Sequence, residues 1–525
     1  MKTPLPEIPE GQKSPFIQIL LRIIQEQAEQ IALLKDEVAK LKGQKPRPKF
    51  PPSKTADDAK NKGKKADSLN NSGSAHSRRI RRKEERIIQP LLIPPGSRFK
   101  GYEDYFAQDL QIESLEIQFR LAVYTGPDGT RIRGELPAAY AQGHFGVELQ
   151  AYCITQYFQC HVTEPLLLRQ LYEMGIDMSP AELSNILIRN QESFHQEKEE
   201  IRNAGIRHSD FLNTDDTSSR HQGKNGYCTT ICSPLFAYFK STESKSRANF
   251  LEVLLGSREL YAITEESLNY AFKRGLRDDA LAVLERFEGK EWVSKSDWEV
   301  FLKKQNIRKD IDCRIVTEAA LIGAAFKLRV DLYNLPIISD AAPQFALFLN
   351  GLCWVHEERH YRKLIPIAES ERVEIDKVRS EIWDFYETLK TYKLQPTLIQ
   401  QVELLKRFDE IFGAKYSSRG LTALMVKTRS RKEGLLMVLK YPVIPLHNND
   451  CERDIREYAK RRKISGSTRS EAGRQARDTF ISLKKTCQRH GIAFWNYIHD
   501  RLIGEQKVPR LADLIMRKAQ FLKTA

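Results

Sequence analysis

Between Ile206 and Ser241 the chain spells out three strands in succession, and this stretch limits its fold more than any other. IRHSDFLNT is followed by the turn signal GKNG, then by YCTTICS and LFAYFKS. Alternating β-branched and aromatic residues around a Gly/Asn turn read as a hairpin meander. The first strand ends at Asp215-Asp216, and a helix begins near Ser246. After a mostly helical stretch, with Trp292 and Trp298 on a packed face, LPIIS gives a short apolar strand ending at Asp340. The order β-β-β-α-β is followed by a late helix, HNNDCERDIREYAKRRK, which carries Glu452.

With 525 residues, at roughly 100–200 residues per domain, three or four domains are expected. Residues 14–43 read as a coiled coil. Ile17, Ile24, Ile31 and Val38 form one seam, and Leu20, Gln27, Leu34 and Leu41 the other. β-branched residues at one core position with Leu at the other favour a parallel dimer. The competing reading is an amphipathic helix packed on its own core. Residues 44–86 read as a flexible, disordered basic linker, rich in Lys, Pro, Ser and Asn. Residues 87–140 read as a small β-rich domain, where QIESLEIQFRLAVY alternates before the turn TGPDGT. Residues 141–205 read as helical. Pro165–Gly175 and Ser179–Ile188 form a helix-turn-helix-like pair, the second opened by a Ser179–Glu182 capping box. Residues 206–465 hold the strand-rich segment, with helical insertions at about 251–330 and 368–412. Residues 466–525 close the chain with helices.

The chain carries 84 Lys+Arg against 69 Asp+Glu, a net charge of +15. Such a balance favours a polyanionic partner, nucleic acid above all. From Lys42 to Arg86 there are 15 basic and 5 acidic residues. Arg78, Arg79, Arg81 and Arg82 close that run and are candidate DNA contacts. The alternative is a solubilising tail. No run approaches the roughly 20 apolar residues that cross a bilayer, and the first residues lack the apolar core of a signal peptide. Eight Cys are scattered without a CxxC pair. This disfavours a zinc knuckle or a disulfide scaffold and favours a reducing cytoplasm.

Asp215, Asp340 and Glu452 stand out by placement. Carboxylates at two strand ends and on an abutting helix suit a pair of Mg²⁺ or Mn²⁺ ions, about 3.5–4 Å apart, that stabilise attacking and leaving oxygens in phosphoryl transfer. The element order suits a ribonuclease-H-like fold. Glu452 lies among Arg453, Arg456, Lys460, Arg461, Arg462 and Lys463, which fits a metal ligand beside a phosphate track. A salt-bridged helix face is the plainer reading. Cys353 and His356 have half of a zinc spacing with no second half, so packing or hydrogen bonding near the core is the favoured role for both, with His356 also able to orient a strand or ligand, and Trp354 reads as core.

These strings resemble the transposases of the bacterial insertion sequence 66 family. TDDT resembles the family's Asp-Glu-Thr block, with Asp215 at the catalytic Asp and Asp216 at the Glu. ISDAAPQF resembles the second Asp block, on Asp340. CWVHEERHYRKL resembles Cys-Trp-Ala-His-x-x-Arg through Cys353, Trp354, His356 and Arg359. NNDCERDIR with RRKISGS resembles the third block through Asn448, Glu452, Arg453 and Arg462-Lys463. GHFGVEL and ISLKKTCQRHGIAFWNYIHDRL resemble the blocks before and after. The resemblance implies a multidomain, mostly helical protein with an N-terminal coiled coil and an α/β ribonuclease-H-like DDE core. Asp215, Asp340 and Glu452 would hold two Mg²⁺ or Mn²⁺ ions. Arg453, Arg456, Arg462 and Lys463 would bind DNA, and Asp216, Cys353, His356, Arg359 and Asn448 would support the site. Double-stranded DNA, a second copy of the chain and small accessory proteins are the implied partners, on DNA in the bacterial cytoplasm. A non-catalytic DNA-binding descendant is the alternative. The departures are the absence of Cys before Cys153, hence of the family's zinc segment, the Asp at 216, and a long interval of 125 residues between Asp215 and Asp340.

Overall fold

The computed structural model describes residues 111–524, apart from 138–139, 141–142, 257–258, 329–331 and 333, together with scattered positions between 87 and 107. The heptad segment, the basic linker and Arg78, Arg79, Arg81 and Arg82 lie outside the described residues. Gly73–Ile375 and Phe385–Ala525 make one compact unit, and Asp376–Asp384 belongs to another.

Among the described residues of 87–140 the strands are those of one hairpin, β1 (Val123–Thr125) with β2 (Arg131–Arg133). Its turn is TGPDGT, where Asp128 accepts hydrogen bonds from the Thr130 N–H and hydroxyl and Gly129 has φ +82°. The alternating run before it is not a strand. Ile112, Leu115, Ile117 and Phe119 are exposed. Alternation specifies a strand only where one face has a core to cover.

Four helices follow: α1 (Val147–Phe158), α2 (Glu164–Glu173), α3 (Pro180–Ile188) and α4 (Glu192–His208). Gly175, at φ +77°, turns the chain out of α2. The Ser179 hydroxyl accepts the Glu182 N–H, and the Glu182 carboxylate accepts the Ser179 N–H. The capping box therefore sits where its sequence placed it.

The meander is β3 (Leu212–His221), β4 (Lys224–Cys232) and β5 (Ala237–Thr242). The first strand runs on well past Asp216, because nine residues of β3 pair antiparallel with β4. An insertion follows: α5 (Arg247–Leu255), β6 (Tyr261–Ala262), α6 (Glu265–Lys273), α7 (Asp278–Arg286), β7 (Glu291–Trp292), α8 (Lys295–Lys304) and α9 (Asp310–Leu328). Trp298 is buried in it, stacked on Tyr261 and edge-on to Trp292. The chain returns through β8 (Ile337–Ser339) and β9 (Asn350–Leu352). The sheet order is β5-β4-β3-β8-β9, antiparallel on the meander side, with β8 and β9 parallel to β3.

A second insertion holds α10 (Trp354–Arg362), α11 (Glu369–Tyr392), α12 (Leu398–Gly413), α13 (Arg419–Ser430) and the single turns α14 (Lys432–Leu435) and α15 (Met437–Lys440). The long amphipathic stretch breaks into α11 and α12 at KLQPT, where Pro396 cannot continue a helix. The closing helices are α16 (Asn449–Ser465), α17 (Glu471–Arg489), α18 (Phe494–Ile503) and α19 (Leu511–Thr524).

The outer edge of β5 is closed by side chains of α17. The N–H groups of Ala237, Phe239 and Ser241 donate to Thr486 Oγ1 at 3.2 Å, Ser482 Oγ at 3.0 Å and Asp478 Oδ2 at 2.6 Å. Acceptors four residues apart on a helix meet alternate donors of a strand, which leaves little edge for another chain to pair with. Cys228, Cys232, Ala237 and Phe239 pack with Cys451, Tyr458 and Ile481, fixing α16 and α17 on this side of the sheet.

Candidate active site

Leu212 pairs with Ile337 and Asn213 with Ile338, an offset of 125 residues. Carried two residues further, this register sets Asp215 beside Asp340, which directly follows β8. Side chains alternate across a strand, so Asn213, Asp215, Thr217 and Ser219 share a face. Three of these four meet α16 or its N-cap. Asn213 Nδ2 donates to Asn448 Oδ1 at 2.7 Å, Arg462 donates to Thr217 Oγ1 at 3.2 Å, and the Ser219 and Tyr458 hydroxyls lie 2.9 Å apart. Asp215 faces the same helix.

Asn448 fixes where that helix starts. It is fully buried, and its Nδ2 donates to the Thr214 carbonyl at 2.8 Å. Its N–H meets Cys353 Sγ at 3.3 Å. Cys353 in turn donates its N–H to the Ser339 carbonyl at 3.0 Å. The end of β8, the start of α10 and the start of α16 are thus stitched to β3. Trp354 is buried, its indole N–H donating to Leu435 O and its ring among Phe385, Phe408 and Phe412.

Glu452 lies one turn into α16, its N–H on the Asn448 carbonyl at 3.0 Å. Its carboxylate lies against two guanidinium groups and an imidazole. Oε2 is 3.3 Å from Arg359 and 3.1 Å from Arg456, and Oε1 is 3.5 Å from His356 Nε2. Glu452 Oε1 and His356 Nδ1 are both buried without a hydrogen-bond partner. Burial holds His356 below its ordinary pKa, against the pull of Glu452.

The three acids share one electrostatic environment. Asp215 is pushed up to about 7, chiefly by burial and then by the charges of Asp340, Asp216 and Glu452, while the Asp216 N–H on Asp215 Oδ1 opposes the shift. Such a cost arises when carboxylates are held close in a poorly hydrated place. Asp340 Oδ1 accepts the Ala342 N–H at 3.1 Å. Among the described residues, no three His, Cys, Asp or Glu side chains are grouped tightly enough to hold one ion. Glu452 is turned toward its cationic neighbours.

Asp216 faces the other way. It is ion-paired with Lys245 and accepts from Gln344 Nε2 at 2.7 Å. Lys245 stands above its ordinary pKa because its bond to Asp216 and the charges of Asp216, Tyr227 and Asp340 outweigh its burial. Sequence reasoning missed Asn213, Lys245 and Gln344, since none has a local signature. Arg453 and Lys463 are exposed on α16, Arg453 paired with Asp450, while Arg462 reaches back to Thr217 and Ser218 on β3. The α2–α3 pair carries Glu164, Glu173, Asp177 and Glu182 against Arg169 and Arg189. Its own surface is therefore not basic.

The profile of the transposase IS66 family matches residues 344–476. That span covers Cys353, His356, Arg359, Asn448, Glu452 and the cations of α16. The chain belongs to this family. It is also 35% identical over 321 residues to the uncharacterized protein y4jO of Sinorhizobium fredii, spanning 60% of this chain and 99% of that protein. Among the described residues no helix of this transposase-family chain is long and apolar enough to cross a membrane.

Proposed function

We propose that this chain is a DNA transposase that cleaves the ends of an insertion sequence and joins them to target DNA, with Asp215, Asp340 and Glu452 as its catalytic carboxylates. The observation that carries the reading is the field at Asp215. Burial raises its proton affinity most, and acids from β3, from the end of β8 and from α16, far apart in sequence, raise it further. The sheet order, three antiparallel strands followed by two parallel ones, supports a ribonuclease-H-like core.

The donor set fits a hard divalent cation such as Mg²⁺ or Mn²⁺. All three are oxygen ligands, Asp215 is destabilised as an anion when unneutralised, and Glu452 Oε1 has no hydrogen-bond partner. Bound ions, two per site in this reading, would stabilise the charge that develops on the attacking and leaving oxygens. The chain's own work is positioning. Asp215 and Asp340 are held side by side by the parallel register, and Asn448 holds the first turn of α16. Arg453, Arg456, Arg462 and Lys463 supply cations along α16 for the phosphates of double-stranded DNA. Water attacks a phosphodiester at the element end, and the freed 3′-hydroxyl attacks target DNA. The 14–43 seam is proposed to pair two copies in the bacterial cytoplasm, with small accessory proteins as helpers; sedimentation of that segment tests the pairing.

Asp215→Asn, Asp340→Asn and Glu452→Gln are each expected to abolish Mg²⁺- or Mn²⁺-dependent cleavage of end-bearing DNA while leaving binding near that of the parent. Cleavage retained in one variant removes that residue from the site. The two guanidinium groups on Glu452, from Arg359 and Arg456, favour a second reading, a DNA-binding descendant without catalysis. A parent protein that binds end-bearing DNA and never cleaves it establishes that reading.

A further inference from the structure

Asp216 looks redundant beside Asp215, yet its surroundings give it separate work. Its side chain is only 5% exposed and lies on the face of β3 opposite Asp215. Two groups from different parts of the chain close on it. Lys245 comes from the loop before α5, and Gln344 from the short 3₁₀ turn Pro343–Phe345. That turn begins three residues after Asp340. Between them stands Ala341 at φ +62°, a conformation unfavourable for a residue with a Cβ. Such a backbone persists only where its surroundings over-determine it, and the Gln344–Asp216 bond at 2.7 Å is one tie doing so. The Ala342 N–H on Asp340 Oδ1 is another, within the same turn. The parallel register places Asp216 level with Ala341, as Asp215 is level with Asp340.

We infer that Asp216 is a positioning residue: through Gln344 it holds the 340–344 turn so that the Asp340 carboxylate meets Asp215. Lys245 balances the charge that this buried anion brings to the back of the site. The inference rests on the reading of Asp340 as a metal-ligating carboxylate.

The test uses the full-length protein with Asp216→Ala, Asp216→Asn, Gln344→Ala and the Asp216→Ala/Gln344→Ala pair, and Asp340→Asn as reference. Mn²⁺ binding without DNA is read by titration calorimetry, and end cleavage as kcat and KM for DNA. Losing a partner that orients a ligand typically costs about 10- to 100-fold in metal affinity or activity. Asp216→Ala and Gln344→Ala are each expected to weaken Mn²⁺ binding and lower kcat by about that factor, with KM for DNA unmoved. The double variant should be no worse than the worse single one, because both changes cut the same link. Asp216→Asn should recover most of the loss, since its amide oxygen still accepts from Gln344. Additive losses, or an Asn variant no better than Ala, overturn the inference. So do single variants that bind Mn²⁺ and cleave like the parent while Asp340→Asn does neither. If Asp340→Asn itself binds and cleaves normally, the metal-ligand reading falls and this inference with it. Asp216→Asn and Gln344→Ala each change a single polar group, so they answer the question even if Asp216→Ala fails to fold.

Discussion

Replacing Asp215 with Asn should make the metal-free protein more stable at neutral and alkaline pH, although it removes a carboxylate from the centre of the site. In the folded chain Asp215 is raised from 3.8 to about 7 by burial and by its acidic neighbours. The unfolded chain therefore binds fewer protons than the folded one between about pH 4 and pH 7, and stability falls as pH rises through that window. The contribution of the protonated acid is fully present below about pH 4 and gone above about pH 7. Three pKa units at about 1.4 kcal/mol each set a ceiling of about 4 kcal/mol, which partial hydration of the site reduces. Asn keeps an oxygen that can accept the Asp216 N–H and has no charge to desolvate. Urea midpoints of parent and variant in chelator should coincide near about pH 4–5 and diverge by about pH 8, with the variant more stable. Added Mn²⁺ at the higher pH should raise the parent's midpoint more than the variant's. A variant destabilised equally at every pH would show that Asp215 carries no such strain, and the crowded-carboxylate picture would fail.

Asn448→Ala removes the buried bonds to Asn213 and to the Thr214 carbonyl. It should cost about 2–4 kcal/mol by urea denaturation, and an unchanged midpoint would mean that α16 is anchored elsewhere. Neutralising Arg453 or Lys463 should lower the log–log salt slope of DNA binding by about 0.9 for each phosphate that the side chain had neutralised. An unchanged slope takes that residue off the DNA path.

Signals that act over a few residues were legible in the sequence. The Ser179–Glu182 box, the turn TGPDGT, the short strand leading into Asp340 and the helix bearing Glu452 all come from local chemistry. Signals that need a partner misled in both directions. Residues 111–120 alternate like a strand but have no core to cover. The second half of β3, DTSSRH, has no apolar alternation, yet it is a strand because β4 pairs with it to His221. The polar links of the site were invisible for the same reason. Asn213 and Asn448 are 235 residues apart, and Gln344 and Asp216 are 128 apart. A buried amide has no sequence signature until the fold supplies its partner.

Among 69 acidic residues many triples of carboxylates are conceivable, so placement at strand ends argues little by itself. Two constraints of the fold separate this triple from the rest. The parallel pairing of β3 with β8 fixes Asp215 and Asp340 to neighbouring positions, and a slip of one residue would turn one of them to the opposite face. The Asn213–Asn448 bond then sets the start of α16 against that same face, with Glu452 one helical turn beyond it. Neither constraint involves the acids themselves. Burial chiefly, and after it the charges of Asp340, Asp216 and Glu452, stores electrostatic strain at Asp215, which is why its proton affinity is raised toward neutral pH. Arg359 and Arg456 relieve part of that strain at Glu452 alone. The remainder, at Asp215, is what a cation binding there would discharge.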